Sequence, residues 1–282
     1  MAKFVFESFD SISQLLNVLE TRKGNSIFGS YRESNTVNRK DFYGTDSYNE
    51  AVTLARTGWA EPLDRLKEVA KASGIKTNVT SDKNRPATGI VGYAPCVPNA
   101  IRGLPNSMIM TERVPSKVKA VTIVYSPCDT SNAKTESYIK AGVAILGMVQ
   151  QLELSGYRVR LQAEFKSSIC DGEYTVARVT LKDWRQPIDL KKLTFPMANS
   201  GMQRRLGFRW LETVPTLTVR GYRSSYGSTI AKRMDYEPQL ALYEENGLLK
   251  GNEYFITKQL CEMENYDIDR IMARAKMKLG RG

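Results

Sequence analysis

The residues with the clearest chemical potential lie in the segment 202–233. Arg204, Arg205, Arg209, Arg220, Arg223, Lys232 and Arg233 are seven basic residues set against one acid, Glu212, and Phe208, Trp210, Tyr222 and Tyr226 are interleaved with them. Guanidinium groups grip phosphate oxygens through a planar fork, and aromatic faces stack on unpaired bases. The run Gly221–Gly227, with a glycine at each end and two serines between, is flexible enough to follow a nucleic-acid backbone. The plainer alternative is that Phe208 and Trp210 belong to a core and the arginines to a solvated face. A second basic stretch closes the chain. Arg270, Arg274, Lys276, Lys278 and Arg281 occur without an acid among them, and Ile271, Met272, Ala275 and Leu279 fall on one broad helical face. Such an end could bind nucleic acid, an anionic membrane or an acidic partner, or could be an ordinary helix whose cations complement its dipole.

Other chemistry is thinner. There is no histidine, which removes Ser-His-Asp and Cys-His catalysis and His-ligated metals. Cys96, Cys128, Cys170 and Cys261 are too far apart for a Cys-x-x-Cys motif and read as reduced, mostly buried thiols. Glu164, Asp171 and Glu173 gather near two expected strands, and Glu262, Glu264, Asp267 and Asp269 precede the tail. A metal-dependent nuclease needs converging carboxylates with a nearby lysine. The residues around Lys166 lack the tight spacing of that pattern. No phosphate-binding loop, dinucleotide fingerprint or nucleophile elbow occurs, so no cofactor is expected.

The elements that must position these residues follow from periodicity. The 282 residues carry a net charge of +11 and an ordinary globular composition. Ser11 and Gln14, and Ser47 and Glu50, have the spacing of capping boxes ahead of short amphipathic helices. A third helix is expected over 62–73. The first hundred residues therefore read as helices and loops. Five prolines between Pro86 and Pro115 argue against regular sheet there. Next come a β-branched strand at 118–125, a polar loop, a helix at 135–154 and strands at 157–165 and 173–181. Gly142 and Gly147 would let the helix lie close on the sheet. Helices are expected from Asp189 through Phe195, over 200–211 and over 253–279 with a break near Asn265, and 217–219 could add a strand. The expected organisation is an N-terminal helical segment (1–75), a Pro-rich connection (76–115), an α/β core with the basic segment (116–235) and a C-terminal helical extension (236–282). The fold class is α/β, with a mixed, mostly parallel sheet flanked by helices and a C-terminal basic helix.

The order of elements over 117–181 resembles the core of a von Willebrand factor A (vWA) domain. In that family the first strand ends in an Asp-x-Ser-x-Ser loop that binds a divalent cation through hard oxygen ligands. Ser126, Cys128 and Thr130 occupy the matching positions, so the leading carboxylate is absent and a thiol replaces one hydroxyl. Asp129, Thr130 and Ser131 could supply oxygens in a shifted register, which makes Ser126, Asp129, Thr130 and Ser131 the candidate metal residues. The phrases FYGTDSYNEAVTLARTGW, YIKAGVAILGMVQQLELSGYRVRL and DLKKLTFPMANSGMQRRLGFRWLE are similar to an uncharacterised family of bacteriophage and prophage proteins. That similarity implies a cytoplasmic or virion-associated protein of a mobile element.

The functional expectation is a non-enzymatic scaffold that binds nucleic acid through its basic C-terminal third. The alternatives are a protein-interaction adaptor or structural subunit without nucleic acid, and a metal-dependent nuclease. No apolar run reaches the ~18–20 residues of a transmembrane helix, and the first ten residues lack the pattern of a signal peptide.

Overall fold

The computed structural model describes residues 3–24, 40–64, 84–113, 119–129, 133–170, 173–214 and 235–277. Its centre is a five-stranded sheet in the order β1 (Lys3–Phe9), β7 (Glu173–Lys182), β6 (Arg158–Cys170), β5 (Ala120–Ser126), β8 (Glu253–Thr257). Three of the four pairings are parallel; β6 and β7 are antiparallel. The remaining strands β2 (Asn84–Gly89), β3 (Ala94–Pro95) and β4 (Met108–Arg113) form a small antiparallel sheet in the order β2-β4-β3. The helices are α1 (Ile12–Thr21), α2 (Lys40–Tyr43), α3 (Tyr48–Thr57), α4 (Val97–Ile101), α5 (Thr135–Leu154), α6 (Leu190–Ala198), α7 (Phe208–Thr213), α8 (Tyr236–Glu245), α9 (Lys258–Met263) and α10 (Ile268–Arg274), with a π-helical turn over Met202–Gly207. The protein is thus α/β, with a mixed, mostly parallel sheet flanked by helices.

The strand–loop–helix–strand–hairpin order of the middle third is present as the periodicity requires. From Val121 onward every residue of β5 is buried, as expected for a parallel strand covered on both faces. α5 buries side chains around most of its circumference, and its hydrophobic partners come from both the sheet and neighbouring helices. Gly142 does allow close packing, but against α6 rather than the sheet: a Cβ there would lie 2.6 Å from Ala198 Cβ. Gly147 faces only the end of Ile268.

The capping boxes form as read. Ser11 Oγ accepts from Gln14 N at 3.2 Å while Gln14 Oε1 accepts from Asp10 N, and Ser47 and Glu50 repeat the arrangement, with Glu50 Oε2 accepting from Asp46 N. Gly58 closes α3 with φ +86, and a Cβ there would lie 2.4 Å from Lys191 O, so both conformation and space demand glycine.

Several expectations are corrected. The N-terminal segment is not purely helical, because Lys3–Phe9 runs parallel to β7 as an edge strand. Glu253–Thr257 is a strand, not helix, and pairs with β5; the helix expected over 253–279 survives only as α9 and α10, separated by Asn265 and Tyr266 at positive φ. Segments on either side of the expected boundaries at 75 and 235 therefore share one sheet. The Pro-rich stretch forms regular strands after all, because Pro86 and Pro95 sit on the outer strands β2 and β3, where a missing donor is tolerated. Pro196 lies inside α6 without ending it. Helix 200–211 begins as a π-helical turn that passes directly into α7. α8 opens the segment expected as a C-terminal helical extension, although no separate helix is bounded there by the sequence. The strand at 217–219 and all of the third helix beyond Asp64 lie outside the described residues.

Candidate functional site

The basic residues of the 202–233 segment do not form a surface where they are described. Arg204, Arg205 and Arg209 are all buried, as are Phe208 and Trp210. Arg204 Nη1 donates to Phe42 O at 2.5 Å, and its guanidinium lies 4.1 Å from the Phe42 ring centroid and 5.3 Å from that of Tyr138. Arg205 Nη2 donates to Thr45 O at 3.2 Å and its guanidinium covers the Tyr43 ring at 4.0 Å. Arg209 donates to Leu19 O, to Arg22 O and, at 2.9 Å, to Glu212 Oε2. The carbonyls involved lie in the last turns of α1 and α2 (Leu19, Phe42) or just after them (Arg22, Thr45), where helix ends leave acceptors unmatched and favour positive charge. These three arginines are internal clamps that fasten the N-terminal helices to the π-helical turn, and none presents the exposed guanidinium expected of a phosphate-binding surface. Arg220, Tyr222, Arg223, Tyr226, Lys232 and Arg233 lie outside the described residues.

The tail is likewise mostly engaged. Arg274 pairs with Glu237 on α8 and lies 3.6 Å from Glu264, while Arg270 lies 3.9 Å from Asp267. Lys276 is exposed, and Lys278 lies outside the described residues. α10 ends at Arg274, so no continuous basic helix spans the described tail.

The expected metal loop sits where an open α/β sheet favours a ligand, outside the carboxyl end of β5, with β6 on one side and β8 on the other. Its residues are engaged there by protein groups. Ser126 Oγ donates to Glu164 O at 3.4 Å. The Asp129 carboxylate pairs with the buried Lys258 ammonium, which also donates to Glu262 Oε1 at 2.6 Å and lies 4.9 Å from the Tyr138 ring centroid. Lys258 thus brings Asp129 the positive charge that a divalent cation would supply. Thr130 and Ser131 lie outside the described residues, and among the described residues no group of three or more acidic or thiol side chains could hold a metal ion.

The carboxylate considered for a nuclease is closed off in a network the sequence did not reveal. Glu164 Oε2 accepts from Arg178 Nε at 2.8 Å and Oε1 accepts from Tyr243 Oη at 2.6 Å. Lys166 Nζ donates to Gln239 Oε1 at 2.6 Å and lies 4.5 Å from the Phe255 ring centroid, and burial lowers its pKa. Gln162, Glu164 and Lys166 alternate on β6 with the apolar Leu161, Ala163 and Phe165. That pattern reads as a strand with one wet face. α8, which carries Gln239 and Tyr243, covers the polar face instead. Asp171 lies outside the described residues. Burial also pushes the Cys128 thiol up, and that of Cys261 up to about 12, so both stay protonated and poorly nucleophilic near neutrality.

Two open features remain. A cleft of about 440 Å³ lies between α1, α3 and α6, lined among others by Asp10, Ser11, Arg56, Arg160, Thr180 and Lys192. Its guanidinium groups have partners already, Arg56 with Glu20 at 2.7 Å and Arg160 with Thr180 at 3.2 Å. The other feature is the small sheet. No described residue from Pro86 to Thr111 is buried, and Ile90 (75%), Val91 (80%), Tyr93 (72%) and Ile101 (81%) stand largely in solvent. Among the described residues no element covers these side chains.

The fold and these sites define an α/β protein with charged groups paired in its interior and an exposed apolar module. Residues 3–272 match a family described as a domain of unknown function, DUF7192, and the chain belongs to that family. No curated protein and no solved structure matches it. Among the described residues no helix is long and apolar enough to cross a membrane.

Proposed function

We propose that this protein is a non-catalytic interaction scaffold, in which the α/β body presents residues 84–113 to a protein partner. One observation carries the reading: a three-stranded sheet and its helix, with no buried described residue from Pro86 to Thr111, hold large apolar side chains in water. A small sheet without a covered hydrophobic face has little stability of its own. Apolar patches beyond a few hundred Å² on a soluble protein mark interaction sites. The resemblances read from the sequence, to bacteriophage proteins and to a vWA core, belong to this proposal and fit an assembly or adaptor role. A photo-crosslinking residue in place of Val91 or Ile101 should yield protein adducts, whereas one in place of the exposed Thr53 on α3 should not. Equal labelling at all three positions, or none at any, removes the reading.

A second reading, nucleic-acid binding, rests on the +11 net charge and on Arg220, Arg223, Lys232 and Arg233. Phosphate neutralisation by these residues makes affinity fall steeply with salt. Fluorescence anisotropy with a labelled oligonucleotide tests it: binding at low salt that is lost on replacing these four residues by alanine supports it, and absence of binding at low salt removes it.

A further inference from the structure

The module 84–113 also carries evidence about what covers it. Resting on the scaffold reading above, we infer that the partner is a second copy of this chain, packed face to face through this module in a two-fold dimer.

Each copy carries +11, so bringing two copies together is opposed almost everywhere on the surface. From Pro86 to Thr111 the only charged side chain is Arg102. This stretch is where two like-charged copies meet with least repulsion. Arg85, Glu112 and Arg113 lie at the base of the module, and between them Arg102 is the single cation that the apolar stretch Pro86–Thr111 offers to an acidic partner.

At their observed exposures, Ile90, Val91, Tyr93, Val97, Ile101 and Leu104 leave several hundred Å² of side-chain surface in water. That is commensurate with the ~800 Å² each partner contributes to a standard stable interface. A two-fold interface doubles the use of one patch, because the same residues serve both copies.

Strand addition, the other common mode of sheet association, is disfavoured here. Strand addition needs an open edge with free donors, and both edges of β2-β4-β3 carry a proline, Pro86 on β2 and Pro95 on β3. The backbone is also crowded inside the sheet. A Cβ on Gly92 would lie 2.1 Å from Ile109 O, and one on Gly89 would lie 2.4 Å from Met110 Sδ. The strands are already closely packed on one another, and what remains available is the apolar side-chain surface.

The test uses the full chain. Sedimentation equilibrium over a wide concentration range should return a dimer, and the association should persist or tighten at high salt, as apolar burial does and ion pairing does not. Val91→Asp and Ile101→Asp should each shift the protein to monomer with an unchanged far-ultraviolet circular dichroism spectrum, and Thr53→Asp should not. A monomer across the whole range overturns the inference, as does a dimer that survives both module variants. Crosslinking from position 91 separates the two readings: an adduct of twice the chain mass supports self-association, and adducts only with other proteins remove it while leaving the scaffold reading standing. No adduct removes both.

Discussion

Glu164 and Arg178 are direct cross-strand partners on the antiparallel β6–β7 pair, and their side chains meet at 2.8 Å in the protein interior. Tyr243 Oη holds the second carboxylate oxygen, and Arg178 Nη1 donates to Leu248 O at 2.6 Å. The pair therefore ties the sheet to α8 and to the turn after it. Breaking a buried pair from one side costs about 3–5 kcal/mol, because the other charge stays behind without compensation. Arg178→Met should lower the urea midpoint accordingly, and Glu164→Leu combined with it should recover much of the loss. Simple additivity of the two single changes would show that the pair is not coupled.

Arg209 should behave as a clamp rather than a ligand group. Arg209→Met removes the guanidinium from buried Glu212 and from two backbone carbonyls after and within α1, so a loss of about 3–5 kcal/mol is expected by the same reasoning. Oligonucleotide affinity per folded molecule should not change. Thermal melts measured beside binding titrations distinguish the two roles; weaker binding with unaltered stability would place Arg209 at a nucleic-acid surface.

Gly142 and Gly147 should respond oppositely to alanine. At Gly142 the new methyl would meet Ala198 and the Met197 backbone, and separating α5 from α6 should cost about 1–3 kcal/mol. At Gly147 the nearest atom is Ile268 Cδ1 at 3.2 Å, the movable end of a side chain. There the gain in helix propensity, up to ~1 kcal/mol, should offset the crowding. Paired denaturant curves for the two variants give the comparison directly.

Stability should fall in alkali. Burial raises the pKa of Cys128, of Cys261 (to about 12), and of Tyr125 and Tyr243 above their ordinary values. The folded state keeps these protons while the unfolded chain releases them, so the stabilisation is complete below the unfolded thiol value of 9.0 and is lost as pH rises towards 12. Lys166 acts in the opposite sense: its lowered pKa adds stability as pH rises towards 10.5 and nothing further beyond. Urea midpoints across pH 8 to about 11 should therefore decline above about 9–10. Iodoacetamide at neutral pH should modify the half-buried Cys96 before Cys128 or Cys261.

Local patterns identified much of this protein. The β-branched run of β5, the twenty-residue helix α5, the hairpin that follows, and the caps at Ser11 and Ser47 were legible because each depends on neighbours in sequence: pleat alternation, helical spacing, or a side chain three residues from its donor. The absence of histidine and the separation of the cysteines likewise restricted the available chemistry without any structure.

Tertiary structure decided what the charged residues do. Arg204, Arg205 and Arg209 look in sequence like a phosphate-binding run, yet each is turned inward by carbonyls more than 150 positions away in the chain. Glu164 and Lys166 look like the wet face of a strand, and only the placement of α8 over them makes them interior. β1 (KFVFESF) and β8 (EYFIT) are rich in strand-forming residues, and what tertiary packing decided is that they join the central sheet beside β7 and β5. Conversely, Ile90, Val91 and Ile101 look like core and are exposed, because no described element covers them. Sequence determines which groups need burial or a counter-charge. Which distant group satisfies that need, or whether another molecule must, depends on long-range packing.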